Sequence, residues 1–432
     1  MYELVTYIPD RVLPRPGRSR KGQPGSRWPP TRRRVTRVTK STSTARVRLL
    51  SPSTMGRSNR SRVLQLLLQN GPTSRAQLAR ALGVNRATIA TILQPLVDDG
   101  SLVEGDAVAA SPSGGKPARP LWFNQHGAEL GSIRIASTRL MAARLGMDGT
   151  IRTSGERVVD PSWPLDRISA VLVELAEECF GGRSLLGIGI AAAGMVDTST
   201  GTILSLHLAP VMNGFRVAEL LSSRFATSVT VDHHPRVLAL GDKWFGLGRG
   251  MDHFASVYTG EALGMGIVHD GEVFRGFKGA GGEYGHIVVD LAGATCLCGR
   301  RGCWETVATT GWLRERAREA GLPGAGTTTC AQLAEQAEQG VAGAVELLEL
   351  YADNLVIGLA NNEHMLASST YIMHGDVVGG GERMRLLLQE RLARNAPHRD
   401  DPPVVLLDTS DDDTVLLGGG GLVLSSELAT AV

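Results

Sequence analysis

The sequence is poor in aromatic residues, which make up 5% of its 432 positions. That scarcity argues against the stacking platforms on which single-stranded nucleic acids are held. It has no unbroken apolar run of the ~18 residues that a membrane helix needs, so no membrane partner is expected. No charged-then-apolar leader opens the chain. There are only five cysteines, an odd number, with three clustered at 296, 298 and 303. This argues against a disulfide framework and points to a reducing, cytoplasmic setting. Net charge is nearly absent: 45 Lys and Arg stand against 43 Asp and Glu, for +2. Glycine is the residue in excess, with 53 copies against a usual share of about 7%. With 42% hydrophobic residues, the composition suits an α/β protein of two or three domains rather than a disordered chain.

The small net charge is a cancellation. Residues 1–60 hold 15 Lys and Arg and only two acids, Glu3 and Asp10, so the remainder is acidic. Residues 1–55 are rich in Arg, Pro, Ser and Thr without apolar periodicity, and are expected to form a disordered basic extension. Two readings of it stay open: a phosphate-binding arm, or a stretch ahead of a translation start at Met55. Repeated prolines disfavour an amphipathic targeting peptide.

Residues 56–124 have a different pattern. SRVLQLLLQNG has apolar residues at helical spacing and stops at Gly71-Pro72. Thr73-Ser74 can cap a second helix, RAQLARALG, and Asn85 a third, RATIATILQPLVDDG. Two short helices, a Gly turn and a third helix make a helix-turn-helix. SLVEGDAVAASPSGGKPARPLWFN reads as two strands around a Gly/Ser tip, the wing of a winged helix. Asn85, Arg86, Thr88 and Thr91 fall opposite the apolar Ile89 and Ile92, where a recognition helix meets a major groove. Gly114 and Gly115 permit close backbone approach, and Lys116 and Arg119 suit phosphates or a minor groove. A three-helix bundle for protein contact would not need that tip. The expected partner is a double-stranded DNA operator. One recognition helix reads a short half-site, so a homodimer or homotetramer is expected.

Residues 127–432 read as α/β. Strand meander, helix, strand, helix occurs twice, which predicts two related lobes with a cleft between them. Within GGEYGHIVVDLAGATCLCGRRGCWET, His286, Cys296, Cys298 and Cys303 follow H-x9-C-x-C-x4-C. Four such ligands suit tetrahedral zinc with no position left for a catalytic water, hence a structural zinc ion. Cys179 and Cys330 are read as packing residues.

This motif closely resembles the signature of the ROK family (repressors, open reading frames, kinases), and GIGIAAAGMVDTSTGTI resembles a second family block. The resemblance spans roughly 127–432. With the winged helix and SPSGGKPA ahead of it, the chain resembles the family's sugar-responsive regulators. The resemblance implies a two-lobed actin/hexokinase-like domain. It also implies a sugar-like small-molecule effector whose hydroxyls bond to Glu283, His286 and Glu305.

Three departures from the kinase pattern stand out. The family's D-x-G-G-T phosphate loop is matched by Arg134-Ile135-Ala136-Ser137-Thr138, with Arg for the acid. The G-T-G-I-G loop is matched by Gly260-Glu261-Ala262-Leu263-Gly264, which puts a negative charge where phosphate would sit. The E-N-D-A-N stretch is matched by Asp232-His233-His234-Pro235-Arg236, so that His234 takes the catalytic base position and His233 a sugar-binding one. A His can act as a base, but three altered elements argue against a kinase. The expectation is a non-enzymatic, DNA-binding regulator, a repressor, with His233, His234, Glu283, His286 and Glu305 at the effector site. A carbohydrate kinase carrying a helix-turn-helix and an orphan regulator without a sugar ligand are the alternatives.

Overall fold

The structure is a computed structural model. It describes residues 60–430, apart from 61, 69, 108–117, 125–126, 398–399 and 411. The basic extension therefore lies outside the described residues, as does the wing tip with Gly114, Gly115 and Lys116.

Helix α1 (60–70) precedes the short strand β1 (Thr73–Ser74), α2 (Arg75–Leu82) and α3 (Arg86–Asp98). Ser74 and Gln77 form a capping box on α2, and Gly83 ends it in the left-handed region at φ 65°. Asn85 caps α3 by accepting from the Thr88 amide. Strands β2 (Leu102–Glu104) and β3 (Pro120–Phe123) pair antiparallel, and β1 joins β3 on its other side. Three helices and a small sheet match the expected winged helix. Pro95 lies on the exposed side of α3, which continues to Asp98.

Two five-stranded sheets follow, built to one plan. In the first, β4 (Glu129–Ile135), β5 (Arg139–Gly146) and β6 (Ile151–Val158) form an antiparallel meander. Helix α4 (Leu165–Phe180) then leads to β7 (Leu185–Ala192), parallel to β4. A small hairpin of β8 (Met195–Asp197) and β9 (Thr202–Ser205), then α5 (Val217–Phe225), lead to β10 (Val229–His233), parallel to β7. Helix α6 (His234–Trp244) crosses to the second sheet. There β11 (Phe254–Thr259), β12 (Leu263–His269) and β13 (Glu272–Val273) again run antiparallel. The helices α7 (Glu305–Ala308), α8 (Thr310–Glu319), α9 (Cys330–Glu338) and α10 (Ala344–Leu366) lead to β14 (Thr370–Gly375), parallel to β11. Helix α11 (Gly381–Asn395) leads to β15 (Val404–Leu407), parallel to β14. The orders β10-β7-β4-β5-β6 and β13-β12-β11-β14-β15 are thus equivalent, which is the repeat expected from the sequence.

The last helix, α12 (Asp413–Thr430), holds the four successive glycines of LLGGGGLVL in its interior. The reason is close approach. A Cβ on Gly418 would collide with the Val237 carbonyl of α6, and one on Gly419 with Ser132 of β4. Packing without side chains outweighs the cost of about 1 kcal/mol that each glycine carries in a helix. No helix among the described residues is long and apolar enough to cross a membrane.

Candidate functional site

A cavity of about 540 Å³ lies where the two sheets' strand ends face each other. It is lined by the end of β4, the β10–α6 junction, the β11–β12 turn, residues 282–286 and the cysteine loop. A second space of about 510 Å³ continues from it, with Arg134, Arg139, His234, Tyr258 and Glu261 common to both.

His233 ends β10 and His234 begins α6. The Nδ1 of His233 lies 3.3 Å from Oε1 of Glu283, and the ring of His234 meets Tyr258 edge-on at 4.8 Å. Burial, with Arg236 nearby, pushes the His233 imidazole down to about 3. Burial, with Arg134 nearby, drives His234 well below the usual histidine value. Both rings are therefore neutral at physiological pH. Burial also raises the Glu283 carboxyl, against the pull of Arg236.

Local sequence explains how these groups are held. Asp232 and Arg236 are four residues apart and both are buried, with Nε to Oδ1 at 2.7 Å. Arg275 approaches the other carboxylate oxygen at 2.9 Å. Arg236 also donates to the carbonyls of Gly279 (2.7 Å) and Gly281 (3.1 Å), which fixes the loop that carries Glu283. Both guanidinium groups thus have partners.

The cysteine loop forms the adjoining wall. All four predicted ligands, His286, Cys296, Cys298 and Cys303, come together, with donor atoms within 4.8 Å of one another. The Sγ of Cys296 lies 3.5 Å from Nδ1 of His286, and Cys298 lies 3.6 Å from Cys303. Zinc bonds of about 2.3 Å to sulfur and about 2.0–2.1 Å to nitrogen separate neighbouring tetrahedral donors by ~3.5–3.8 Å. These contacts therefore fit a tetrahedral ion. All three thiols are free. Burial would raise Cys298, but hydrogen bonds from Arg300, and then from Cys296 and Cys303, outweigh it and bring the thiol down to about 7. Burial pushes Cys296 up to about 12. Gly302 has φ 68° and sits where a Cβ would run into the Asp290 carbonyl, so the loop closes only around glycine. Glu305 accepts from the Leu263 amide at 3.1 Å, and its other oxygen lies 3.6 Å from His286 Nδ1. Glu283, His286 and Glu305 all line the cavity.

The other half of the cleft is lined by charge pairs. Arg134 forms an ion pair with Asp412, donates to the Tyr258 hydroxyl at 3.2 Å and places its guanidinium 5.6 Å from that ring's centre. Arg139 donates to Asp412 at 2.6 Å. Glu261 pairs with Arg314 at 2.5 Å. The Arg that stands where a kinase has its acid thus has its own counter-ion, 278 positions further along the chain.

On the winged helix, Arg86, Thr91 and Asn85 are exposed on α3, while Thr88 is half-buried and donates its hydroxyl to Asn85. Thr91 returns its hydroxyl to the Ala87 carbonyl. Arg119 is exposed beside β3.

Sequence reasoning missed three features. His207 lines the cavity with its ring 6.0 Å from that of His286. The Asp232–Arg236 pair had a visible signal in its four-residue helical spacing. A buried triad sets His374 2.8 Å from Asp242 and 3.4 Å from Asp408. It joins three distant segments, and no local pattern announces it.

Comparison with known proteins agrees with this architecture. The sequence profile of the ROK family matches residues 130–425, and that of a "Winged helix-turn-helix DNA-binding" domain matches residues 57–100. The chain is 26% identical over 261 residues to the xylose repressor of Bacillus subtilis (strain 168), covering 58% of this chain and 65% of that protein. It is 29% identical over 239 residues to a glucokinase of Thermotoga maritima, covering 52% of this chain and 74% of that one. The chain thus spans just under two thirds of that repressor's length. A crystal structure of a ROK family transcriptional regulator, a homologue of the E. coli MLC protein, superposes with a TM-score of 0.71 at 24% identity. The superposition covers 87% of this chain and 97% of the other, and the two share the fold. With a family match running through most of its length, this chain belongs to the ROK family.

Proposed function

We propose that the chain is a DNA-binding transcriptional repressor, without kinase activity, that releases its operator when a neutral sugar or sugar derivative enters the cleft. The observation that carries this reading is the contrast between the two halves of that cleft. One half presents His233, Glu283, His286 and Glu305, groups that exchange hydrogen bonds with hydroxyls. The other is lined by the Arg134–Asp412–Arg139 ion pairs, with Arg134 in place of the acid of the kinase phosphate loop. Among the described residues, the sugar half is lined by the neutral His233 and the acids Glu283 and Glu305, while Arg236 and Arg275 are drawn away from the lining to Asp232. This favours an uncharged ligand over a sugar phosphate. The xylose repressor at 26% identity supports the regulatory reading.

In this reading His286, Cys296, Cys298 and Cys303 hold a structural zinc ion that fixes His286 and Glu305 at the cavity wall. Asn85, Arg86, Thr88 and Thr91 enter the major groove, and Gly114, Gly115, Lys116 and Arg119 meet the backbone or minor groove. Two copies, as a dimer or within a tetramer, read a two-fold operator. Closure around the sugar shifts the population toward a spacing that fits the operator poorly.

The test is operator selection on the purified protein with and without a panel of sugars, followed by calorimetry. One sugar should bind and weaken the operator complex, and Glu283→Gln should lose sugar binding while keeping operator binding. Sugar-dependent ATP turnover that disappears in His234→Ala would instead establish a kinase. Intact operator binding with no heat from any sugar would establish the orphan regulator.

A further inference from the structure

We infer a second metal site, for a divalent transition ion, formed by His253, His269 and Asp270 at the outer end of the β11–β12 pair. Phe254 and Val268 pair directly across these antiparallel strands. His253 and His269 are therefore the next residues outward, facing each other with ring centres 4.9 Å apart. Asp270 takes a φ of 52° in the turn toward β13. Its Oδ1 lies 3.6 Å from Nε2 of His253, and its Oδ2 lies 3.8 Å from Nε2 of His269. Both distances are too long for a hydrogen bond. They are close to the ~3.4 Å that separates two donors around a tetrahedral ion with bonds of about 2.1 Å.

The donor set selects the ion. Two imidazoles and one carboxylate suit zinc, nickel, copper or cobalt; magnesium and calcium favour oxygen alone. All three residues are exposed, so water completes the coordination, unlike the enclosed cysteine site. One contact must be surrendered. The Asp270 amide approaches Nδ1 of His253 at 3.4 Å, and an ion on Nε2 moves the ring proton to Nδ1. At that length the loss is small. The buried cluster of Asp242, His374 and Asp408 differs, because His374 is already hydrogen-bonded to Asp242 at 2.8 Å.

The position gives an ion mechanical consequence. The next residue, Gly271, offers its carbonyl to Nζ of Lys243 near the end of α6. A small groove at that point is lined by Lys243, Asp252, Gly271 and Glu272, together with Arg62 and Gln65 of α1. An ion on Asp270 therefore pins the turn at the junction of winged helix and effector domain.

The experiment uses the full-length, zinc-loaded protein equilibrated with Ni²⁺ and then analysed for both metals. The expected result is one nickel per chain beside the zinc. His253→Ala with His269→Ala should lose the nickel and keep the zinc, whereas Cys298→Ser should lose the zinc and keep the nickel. With Cu²⁺ as probe, electron paramagnetic resonance should show two imidazole nitrogens, reduced to one in His269→Gln, a single exposed change that decides the matter if the double variant fails to fold. No nickel beyond the zinc, equal nickel in the double variant, or a copper spectrum unchanged by His269→Gln would each overturn the site.

Discussion

For the proposed zinc site, individual residues of the cysteine loop set a pH dependence of metal affinity whose sign follows from their protonation. Zinc binds thiolates, so every proton still held by a ligand must be released on binding. Cys298 titrates at about 7, whereas Cys296 is pushed up to about 12 and Cys303 is also raised. His286 is lowered by burial and offers no competing proton near neutrality. Below pH 7 zinc displaces three protons, and above it two. Affinity should therefore fall as pH falls, by up to about a thousandfold per unit below neutrality and about a hundredfold per unit just above it. Competition with a chromogenic chelator from pH 6 to 8 measures this. A flat profile would contradict zinc on these thiols. At the same scale, Arg86→Ala should weaken operator binding by about 1–3 kcal/mol, and an unchanged gel shift would remove Arg86 from the recognition surface.

At the level of elements, the cysteine loop is backed by α10. Trp304, fully buried between Cys303 and Glu305 in sequence, donates its indole N–H to the Asn354 carbonyl of α10 at 2.7 Å. Gly358, one turn on, leaves the space that the ring fills, and a Cβ there would collide with the indole. Gly358→Ala should displace Trp304 and cost about 1–3 kcal/mol of stability. Because Trp304 lies between Cys303 and Glu305, the proposed zinc ligand and the proposed hydroxyl-binding acid, sugar affinity should fall with it. Thermal unfolding and calorimetry on the variant check both, and unchanged values would show that α10 yields. Elements of this kind also mark what could be seen in the sequence. The winged helix, the repeated lobes and the four-ligand cluster were legible, because capping residues, strand alternation and ligand spacing are local signals. Helix α12 was not, since its four glycines oppose helix formation and only their distant neighbours explain them: the Val237 carbonyl of α6 and the Ser132, Leu145 and Trp244 side chains. Asp412 was equally invisible as the partner of Arg134, because nothing near either residue in the chain records their meeting.

For the whole molecule, α6 is the element that touches both ends of the proposed response. Every residue from His234 to Trp244 is buried. Its first residue lines the cavity, and Lys243, near its end, lines the groove shared with Arg62 and Gln65 of α1. The apolar cluster is continuous there, running from Leu64 and Leu67 through Leu130 and Trp244 to Phe254. A displacement of α6 on lobe closure therefore reaches the winged helix through packed side chains. Such coupling is reciprocal: a sugar that weakens operator affinity by some factor is itself bound more weakly on the operator by the same factor. Coupling of about 1–3 kcal/mol makes that factor about 5–150. Lys243→Met removes the bond to Gly271 while keeping a long side chain of similar bulk. It should preserve sugar and operator binding measured separately and bring the factor toward one. Calorimetry of sugar binding with and without operator DNA, on wild type and variant, reads the factor directly. An undiminished factor in Lys243→Met would place the transmission in the apolar packing of α1 against lobe one, rather than in the turn at Gly271.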